Sequence, residues 1–102
     1  MGTCGLTVIL DDDERIEICV LNRESDGYPT CHGDELKDFL QGFTLVSGLS
    51  GDPKLKIATG MDCLAAQLVA HFKNEPDKFY LCPAGTRDCG EEYIYTVYRD
   101  EN

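Results

Sequence analysis

The sequence predicts a single α+β domain, residues 1–102, in which two helices pack on one face of an antiparallel sheet. Its 102 residues suffice for one modest hydrophobic core. β-like runs lie near both ends of the chain, and two segments with helical spacing of apolar residues lie between them. The predicted order is therefore β-β-α-α-β-β, a grouping of strands and helices that is typical of the α+β class.

The first two strands are predicted at residues 3–10 and 15–22, which are rich in Val, Ile and Leu. The acidic run DDDE between them indicates a tight turn, so the two strands should form a hairpin. In the second strand one set of alternating residues is clearly apolar and the other is mixed. That pattern is expected for a sheet covered on one side.

The stretch DGYPTCHGDEL, which begins at Asp26, leads from the hairpin into the first helix. Its Asp-Gly pair favours a turn with a positive φ at Gly27, and Pro29 holds the preceding residue extended. Asp34 is the predicted N-cap. Apolar residues then recur at helical spacing, and the helix is expected to end near Gln41.

The second helix is predicted from about Met61 to Asn74. A loop rich in Gly and Ser precedes it, with a turn of extra structure expected around the sequence KLKIA. Two more strands, at 78–83 and 92–99, complete the sheet. The apolar stripe of the second helix comprises Met61, Leu64, Ala65, Leu68, Val69 and Phe72.

Nineteen acidic residues against nine basic ones give the chain a net charge of −10. Such a field repels phosphate backbones and attracts basic proteins, so direct nucleic-acid binding is not expected. Solubility is the alternative explanation of the charge. The densest acidic run, which is the predicted partner-binding site, comprises Asp11, Asp12, Asp13 and Glu14.

The sequence also bears on location. No apolar run approaches the roughly 20 residues that span a bilayer. The beginning of the sequence, MGTCGLTVIL, lacks the basic region and cleavage site of a signal peptide. A cytoplasmic protein without membrane contact is therefore expected, as a monomer or a homodimer.

The six cysteines are expected to be thiols in a reducing compartment, where free Cys behaves as a small core hydrophobe. A zinc site needs about four nitrogen or sulfur ligands, and the sequence lacks a C-x₂-C pair. Folding would have to bring the candidate ligands together, and no other cofactor is expected. These candidate zinc ligands are Cys31, His32, Cys82 and Cys89.

An enzyme using a thiol and an imidazole is a further alternative, although the sequence leans against it. Cys31 and His32 are adjacent, and adjacent side chains rarely point at each other. The pairs to consider are Cys31 with His71, and Cys4 or Cys89 with His32. The structural alternative is that His32 braces the turn before the first helix, and no catalytic residue is assigned.

A small-ligand site is the second functional alternative. Tyr28, His32 and Arg87 would bind a nucleotide signal by aromatic stacking and charge. The protein would then act as a sponge or sensor for that signal. The sequence contains few other basic residues to complete such a pocket.

Two segments, MGTCGLTVIL and DGYPTCHGDELKDFL, resemble a group of small uncharacterised proteins of bacteriophages and prophages. Members of that group typically begin Met-Gly-Thr-Arg and carry an Asp-Gly-Tyr-Pro turn before a helix; this chain has Cys4 in place of the arginine. The resemblance covers roughly the first 45 residues and implies a mobile-element origin, without an established activity.

The favoured prediction combines this resemblance with the charge. Short acidic phage proteins include inhibitors of host defence enzymes, anti-CRISPR proteins among them. The protein is therefore expected to bind a basic host protein, such as a Cas nuclease or effector complex, by electrostatically assisted association.

Overall fold

The computed structural model describes residues 3–12, 16–46, 52–73 and 78–99. Within these residues it contains six strands, two α-helices, one turn of π-helix and one turn of 3₁₀-helix. In chain order they are β1 (Cys4–Leu10), β2 (Glu17–Arg23), the π-turn (Pro29–Gly33), α1 (Asp34–Leu40), β3 (Thr44–Val46), the 3₁₀ turn (Pro53–Leu55), β4 (Ile57–Thr59), α2 (Gly60–Phe72), β5 (Phe79–Cys82) and β6 (Glu91–Val97).

The main sheet has four strands in the order β5-β2-β1-β6. The predicted hairpin is present, since β1 and β2 pair antiparallel with Val8 opposite Val20. β5 also pairs antiparallel with β2. The α+β class is confirmed.

The last strand corrects the prediction of a wholly antiparallel sheet. β6 runs parallel to β1, with Leu6 opposite Ile94 and Val8 opposite Thr96, so the sheet is mixed. The reason lies in residues 83–90, which do not form a hairpin loop between neighbouring strands. They carry the chain from the β5 edge to the opposite edge, where β6 enters in the direction of β1.

The predicted order also lacked two strands. β3 and β4 form a separate two-stranded parallel sheet, with Leu45 opposite Ala58. Each strand has only three residues, too few for a period of two to stand out within a segment rich in Gly and Ser. The extra structure expected around KLKIA is therefore a 3₁₀ turn followed by a strand.

The larger hydrophobic cluster lies between the main sheet and both helices, as predicted for helices on one face. Met61, Leu68 and Phe72 of α2 are buried there, and Leu36 brings in α1. Within the described residues, neither helix is long and apolar enough to cross a membrane. The cluster comprises Ile9, Leu21, Leu36, Ala58, Met61, Leu64, Ala65, Leu68, Phe72, Phe79 and Val97.

The other face of the sheet carries a smaller cluster built on Leu6, Val8 and Val20. Residues 83–90, called the crossing segment below, pass over this side. Glu17 holds the segment, because its carboxylate accepts hydrogen bonds from the Gly85 backbone nitrogen (2.7 Å) and from the Arg87 guanidinium (2.7 Å). The two faces of the sheet are therefore covered by different kinds of structure.

Gly27 is required for a reason other than the expected positive φ. The positive φ of this turn belongs to Asp26, at 59°. A Cβ on Gly27 would lie 2.5 Å from the backbone nitrogen of Gly5, so the turn packs directly on β1. The Gly27 carbonyl also accepts a hydrogen bond from the Tyr95 hydroxyl at 2.6 Å. The turn is thereby joined to both β1 and β6.

Candidate functional site

The conspicuous stretch that begins at Asp26 leads without a break into α1. Tyr28 is extended, with ψ at 163°, as predicted from Pro29, and a π-turn that was not predicted starts at Pro29. Asp34 is the first residue of α1 and not its N-cap. The π-turn explains this difference, since its carbonyls at Pro29 and Cys31 already accept from the Asp34 backbone nitrogen.

The π-turn places the His32 side chain in the core, where it is fully buried. Three aromatic rings surround the imidazole, with centroids 5.4 Å away for Phe72, 5.8 Å for Phe79 and 5.4 Å for Tyr95. Two of these rings meet it edge to face, an orientation favoured between aromatic groups. His32 is therefore part of the larger hydrophobic cluster's packing.

Hydrogen bonds to both ring nitrogens define the tautomer of His32. The Arg23 guanidinium can only donate, so Nδ1 of His32 accepts from its Nη1 at 3.3 Å. The proton of the neutral ring then lies on Nε2, which donates to Oγ1 of Thr7 at 2.7 Å. Both polar atoms of the buried imidazole are thus satisfied.

The charge of this site favours the neutral ring. Burial and, to a smaller extent, the positive charge of Arg23 lower the pKa of His32 to about 4 against the opposing effect of Glu35. Arg23 is nearly buried, and it pairs with Glu35 and donates to the Ser25 carbonyl at 2.7 Å. The four residues Thr7, His32, Arg23 and Glu35 form a continuous chain from the core to the surface.

This arrangement supports the structural alternative for His32. A general base needs an available nitrogen within reach of substrate, whereas both nitrogens here are used inside the protein. The network instead fixes β1, β2 and the π-turn relative to one another. Thr7 and Arg23 gave no sequence signal for this role, because an alternating strand pattern does not reveal a buried polar pair.

The proposed thiol–imidazole pairs find no support in the contacts of the described residues. His71 is exposed and stacks on Phe39 with centroids 4.5 Å apart, and no contact joins it to Cys31. Cys4 donates to Oδ1 of Asn22 at 3.0 Å instead of approaching His32. Burial, followed by the nearby Cys89, raises the pKa of Cys4 and keeps it a thiol.

The predicted zinc ligands are divided between the two faces of the sheet. His32 lies on the helix side, while Cys82 packs against the smaller cluster on the other side. Cys89 lines a cavity of about 610 Å³ together with Cys4 and Asn22. Among the described residues, no group of three or more His, Cys, Asp or Glu side chains could hold a metal ion.

The predicted ligand residues Tyr28, His32 and Arg87 are likewise not brought together. Arg87 forms an ion pair with Glu17 on the crossing segment, at 2.7 Å. Tyr28 lies near Asp26 and Cys31, and hydrogen bonding with Cys31 raises the pKa of its hydroxyl. No contact between any two of the three residues is present in the described part of the chain.

The predicted acidic site is described only at Asp11 and Asp12; Asp13 and Glu14 lie outside the described residues. Asp12 has a structural role, because its Oδ2 accepts from the Met61 backbone nitrogen at 2.8 Å and so caps α2. Its Oδ1 pairs with Arg99 at 3.3 Å. Partner binding by residues 11–14 stays a prediction, and the Asp12 carboxylate is already engaged in contacts within the protein.

A second acidic region was not singled out from the sequence, where Asp26 was considered only for a turn and Asp34 only as a helix cap. Asp34 and Asp38 are exposed one turn apart on α1, with Glu35 between them, and Asp26 is exposed in the preceding turn. We call these four residues the α1 acidic surface. The helix period could have revealed this surface, since Asp34 and Asp38 are four residues apart.

Of the three arginines of the described residues, only Arg23 offsets part of the charge of the α1 acidic surface, because only its partner belongs to that surface. Arg23 pairs with Glu35, Arg87 with Glu17, and Arg99 with Asp12.

Comparison of the chain with protein-family models, with curated proteins and with solved structures finds no match.

Proposed function

We propose that this protein inhibits a host nucleic-acid-handling defence protein by binding its basic surface, in the manner of an anti-CRISPR protein. The observation that carries the proposal is the excess of exposed carboxylates on the α1 acidic surface. The chain has a net charge of −10, and the described arginines are all engaged with carboxylates. On the α1 acidic surface, Asp26, Asp34 and Asp38 pair with no described arginine, while Glu35 pairs with Arg23.

Electrostatic steering supplies the mechanism. A nucleic-acid channel presents a basic field over many ångströms, which attracts an acidic domain and increases the rate of encounter. Asp34 and Asp38 project from one face of a short helix, where the backbone holds them at a fixed spacing. Occupation of the channel would then exclude the nucleic acid.

The resemblance to phage and prophage proteins supplies the biological setting of the proposal. The partner would be a Cas nuclease or effector complex in the host cytoplasm. Both ring nitrogens of His32 are hydrogen-bonded inside the protein, which also favours a binding role over catalysis by the imidazole.

The test measures association of the purified protein with guide-loaded Cas nucleases by biolayer interferometry over a range of salt concentrations. The double variant Asp34→Asn/Asp38→Asn should reduce the on-rate about three- to tenfold at low salt, with less difference at high salt. The matched control is Asp62→Asn/Asp88→Asn, which removes the same charge from exposed positions outside the α1 acidic surface.

Equal on-rates for the wild type and both variants would contradict a role for the α1 acidic surface. Absence of salt-sensitive binding to every basic effector would contradict the proposed function itself. Circular dichroism spectra of both variants should match the wild type, because surface substitutions usually change the free energy of unfolding by no more than about 0.5 kcal/mol.

A further inference from the structure

Three of the six cysteines lie on the side of the main sheet that the crossing segment covers. Cys4 shares a face of β1 with Leu6 and Val8, because residues two apart on a strand point the same way. Cys82 packs against the smaller cluster that contains these two residues. Cys89 lies near the end of the crossing segment. The fold thus brings thiols from distant parts of the sequence to one side of the sheet.

The turn that ends the crossing segment places Cys89 beside the start of β1. Cys4 is the backbone partner of Glu91, the first residue of β6. The Glu91 carboxylate accepts hydrogen bonds from the backbone nitrogens of Cys89 at 2.7 Å and Asp88 at 3.2 Å. Gly90, with a φ of 80°, makes the turn between them. Cys89 is therefore held two residues from the position that pairs with Cys4.

The two thiols also line the same cavity, the one of about 610 Å³ described above. Cys4 is 9% exposed, and its thiol donates to Oδ1 of Asn22, which lines the cavity as well. Cys89 is exposed to solvent. Cys82 is not among the described residues that line the cavity. The cavity therefore favours Cys4 and Cys89 as a pair over either one with Cys82.

The electrostatics of Cys4 agree with this proximity. Burial and, next, the charge of Cys89 raise the pKa of the Cys4 thiol, and the effect of Cys89 is larger than that of Glu91. Charge interactions weaken with distance, so an effect of this size is expected when the two sulfurs lie near each other. Cys4 stays protonated, and the exposed Cys89 is the thiol that meets a reagent from solvent first.

We propose that Cys4 and Cys89 form an intramolecular disulfide when hydrogen peroxide oxidises them. The Cys89 thiolate attacks one peroxide oxygen; the S–O bond forms, the O–O bond breaks, and the departing hydroxide takes a proton to become water. The Cys4 sulfur then attacks the sulfur of this sulfenic acid. The S–S bond forms, the S–O bond breaks, and hydroxide leaves with the Cys4 proton as a second water. Two electrons pass from the thiols to peroxide.

The disulfide would close a loop from residue 4 to residue 89, which contains most of the chain. A link across so long a loop restricts the unfolded chain strongly and so stabilises the fold. The bond replaces the hydrogen bond from Cys4 to Asn22, in which a thiol is only a weak donor. The proposal is independent of the proposed function, because neither cysteine belongs to the α1 acidic surface.

The first test treats the purified native protein with hydrogen peroxide and measures its intact mass. The expected change is a loss of about 2 Da at the mass of a single chain, reversed by dithiothreitol. Cleavage after Lys and Arg by trypsin places each cysteine on a different peptide. After alkylation of free thiols, digestion without reduction should yield residues 1–15 joined to residues 88–99. Oxygen addition without a link, a link from 79–87 to 88–99, or a link between two chains would overturn the proposal.

The second test uses Cys89→Ser, with Cys82→Ser as its matched control. Both variants remove one thiol from the same side of the sheet. Peroxide should raise the Tm of the wild type and of Cys82→Ser by about 10 °C, and should leave the Tm of Cys89→Ser unchanged. Differential scanning calorimetry measures each Tm before and after oxidation. An unchanged Tm in the oxidised wild type, or a rise that persists in Cys89→Ser or is lost in Cys82→Ser, would overturn the proposed pair.

Discussion

On the helix side of the main sheet, Thr7, Arg23 and His32 are buried together with the larger cluster. On the opposite side, the buried core consists of Leu6, Val8 and Val20 beneath the crossing segment. The helix side can bury polar groups because each finds a partner there, which offsets the cost of removing it from water. The loop-covered side buries apolar groups and leaves its ion pair at the surface. A single substitution on the helix side should therefore lower the free energy of unfolding more than a substitution in the crossing segment.

The largest expected difference between the faces concerns two glycines. Gly27→Ala should lower the free energy of unfolding by about 3 kcal/mol, because the new Cβ meets the backbone of Gly5 at 2.5 Å and backbone cannot move aside cheaply. Gly85→Ala on the crossing segment should cost about 1 kcal/mol, since only its φ of 85° opposes a side chain and the space is open. Urea unfolding measures both. Equal losses would show that the helix side is not the more tightly constrained one.

A second difference between the faces appears with pH. The pKa of His32 is about 4 in the fold and about 6.5 when unfolded, so the unfolded chain takes up the proton first as the pH falls. The contribution of His32 to stability is complete above pH 6.5 and is lost between pH 6.5 and 4. The loss should reach about 2 kcal/mol by pH 5.

The comparison variants for this pH effect are the two histidine replacements. His32→Gln should remove the pH dependence between 6.5 and 5, and His71→Gln should retain it, because His71 is exposed. Urea unfolding across this range measures the slope for each protein. A slope that persists in His32→Gln would assign the effect to other groups.

The smallest expected effect is at the ion pair that holds the crossing segment. Glu17→Gln should cost about 0.5–1 kcal/mol, since this pair with Arg87 is partly exposed and solvent screens it. Arg87→Gln should cost about the same, and the double variant little more than either. A loss above 2 kcal/mol would indicate that the loop-covered side is as tightly coupled as the helix side.

The sequence predicts the elements with a strong period and misses those decided by tertiary contacts. The hairpin and the α2 stripe were predictable, because their apolar residues recur over seven or more positions. The parallel entry of β6 was not, since nothing local distinguishes a hairpin loop from the crossing segment. The turn at Asp26 was predicted, but the reason for Gly27 lies in Gly5, which is distant in sequence.

The candidate site was less predictable than the fold. His32 was recognised as a brace for the turn, yet Thr7 and Arg23 lie 25 and 9 residues away from it. Their alignment depends on strand register, which composition does not encode. Asp12 attracted notice for its charge, while its main contact is with the first turn of a helix 49 residues later.

The parallel pairing of β1 with β6 has a consequence for how the chain folds during synthesis. Leu6 has its partner at Ile94, so synthesis must proceed beyond residue 94 before β1 is paired on both sides. The hairpin of β1 and β2 can form early, because its contacts are local. Closing the sheet requires a long loop to be ordered first, and contacts of such sequence separation slow folding. During synthesis on the ribosome, β1 is therefore paired on one side only until β6 has emerged.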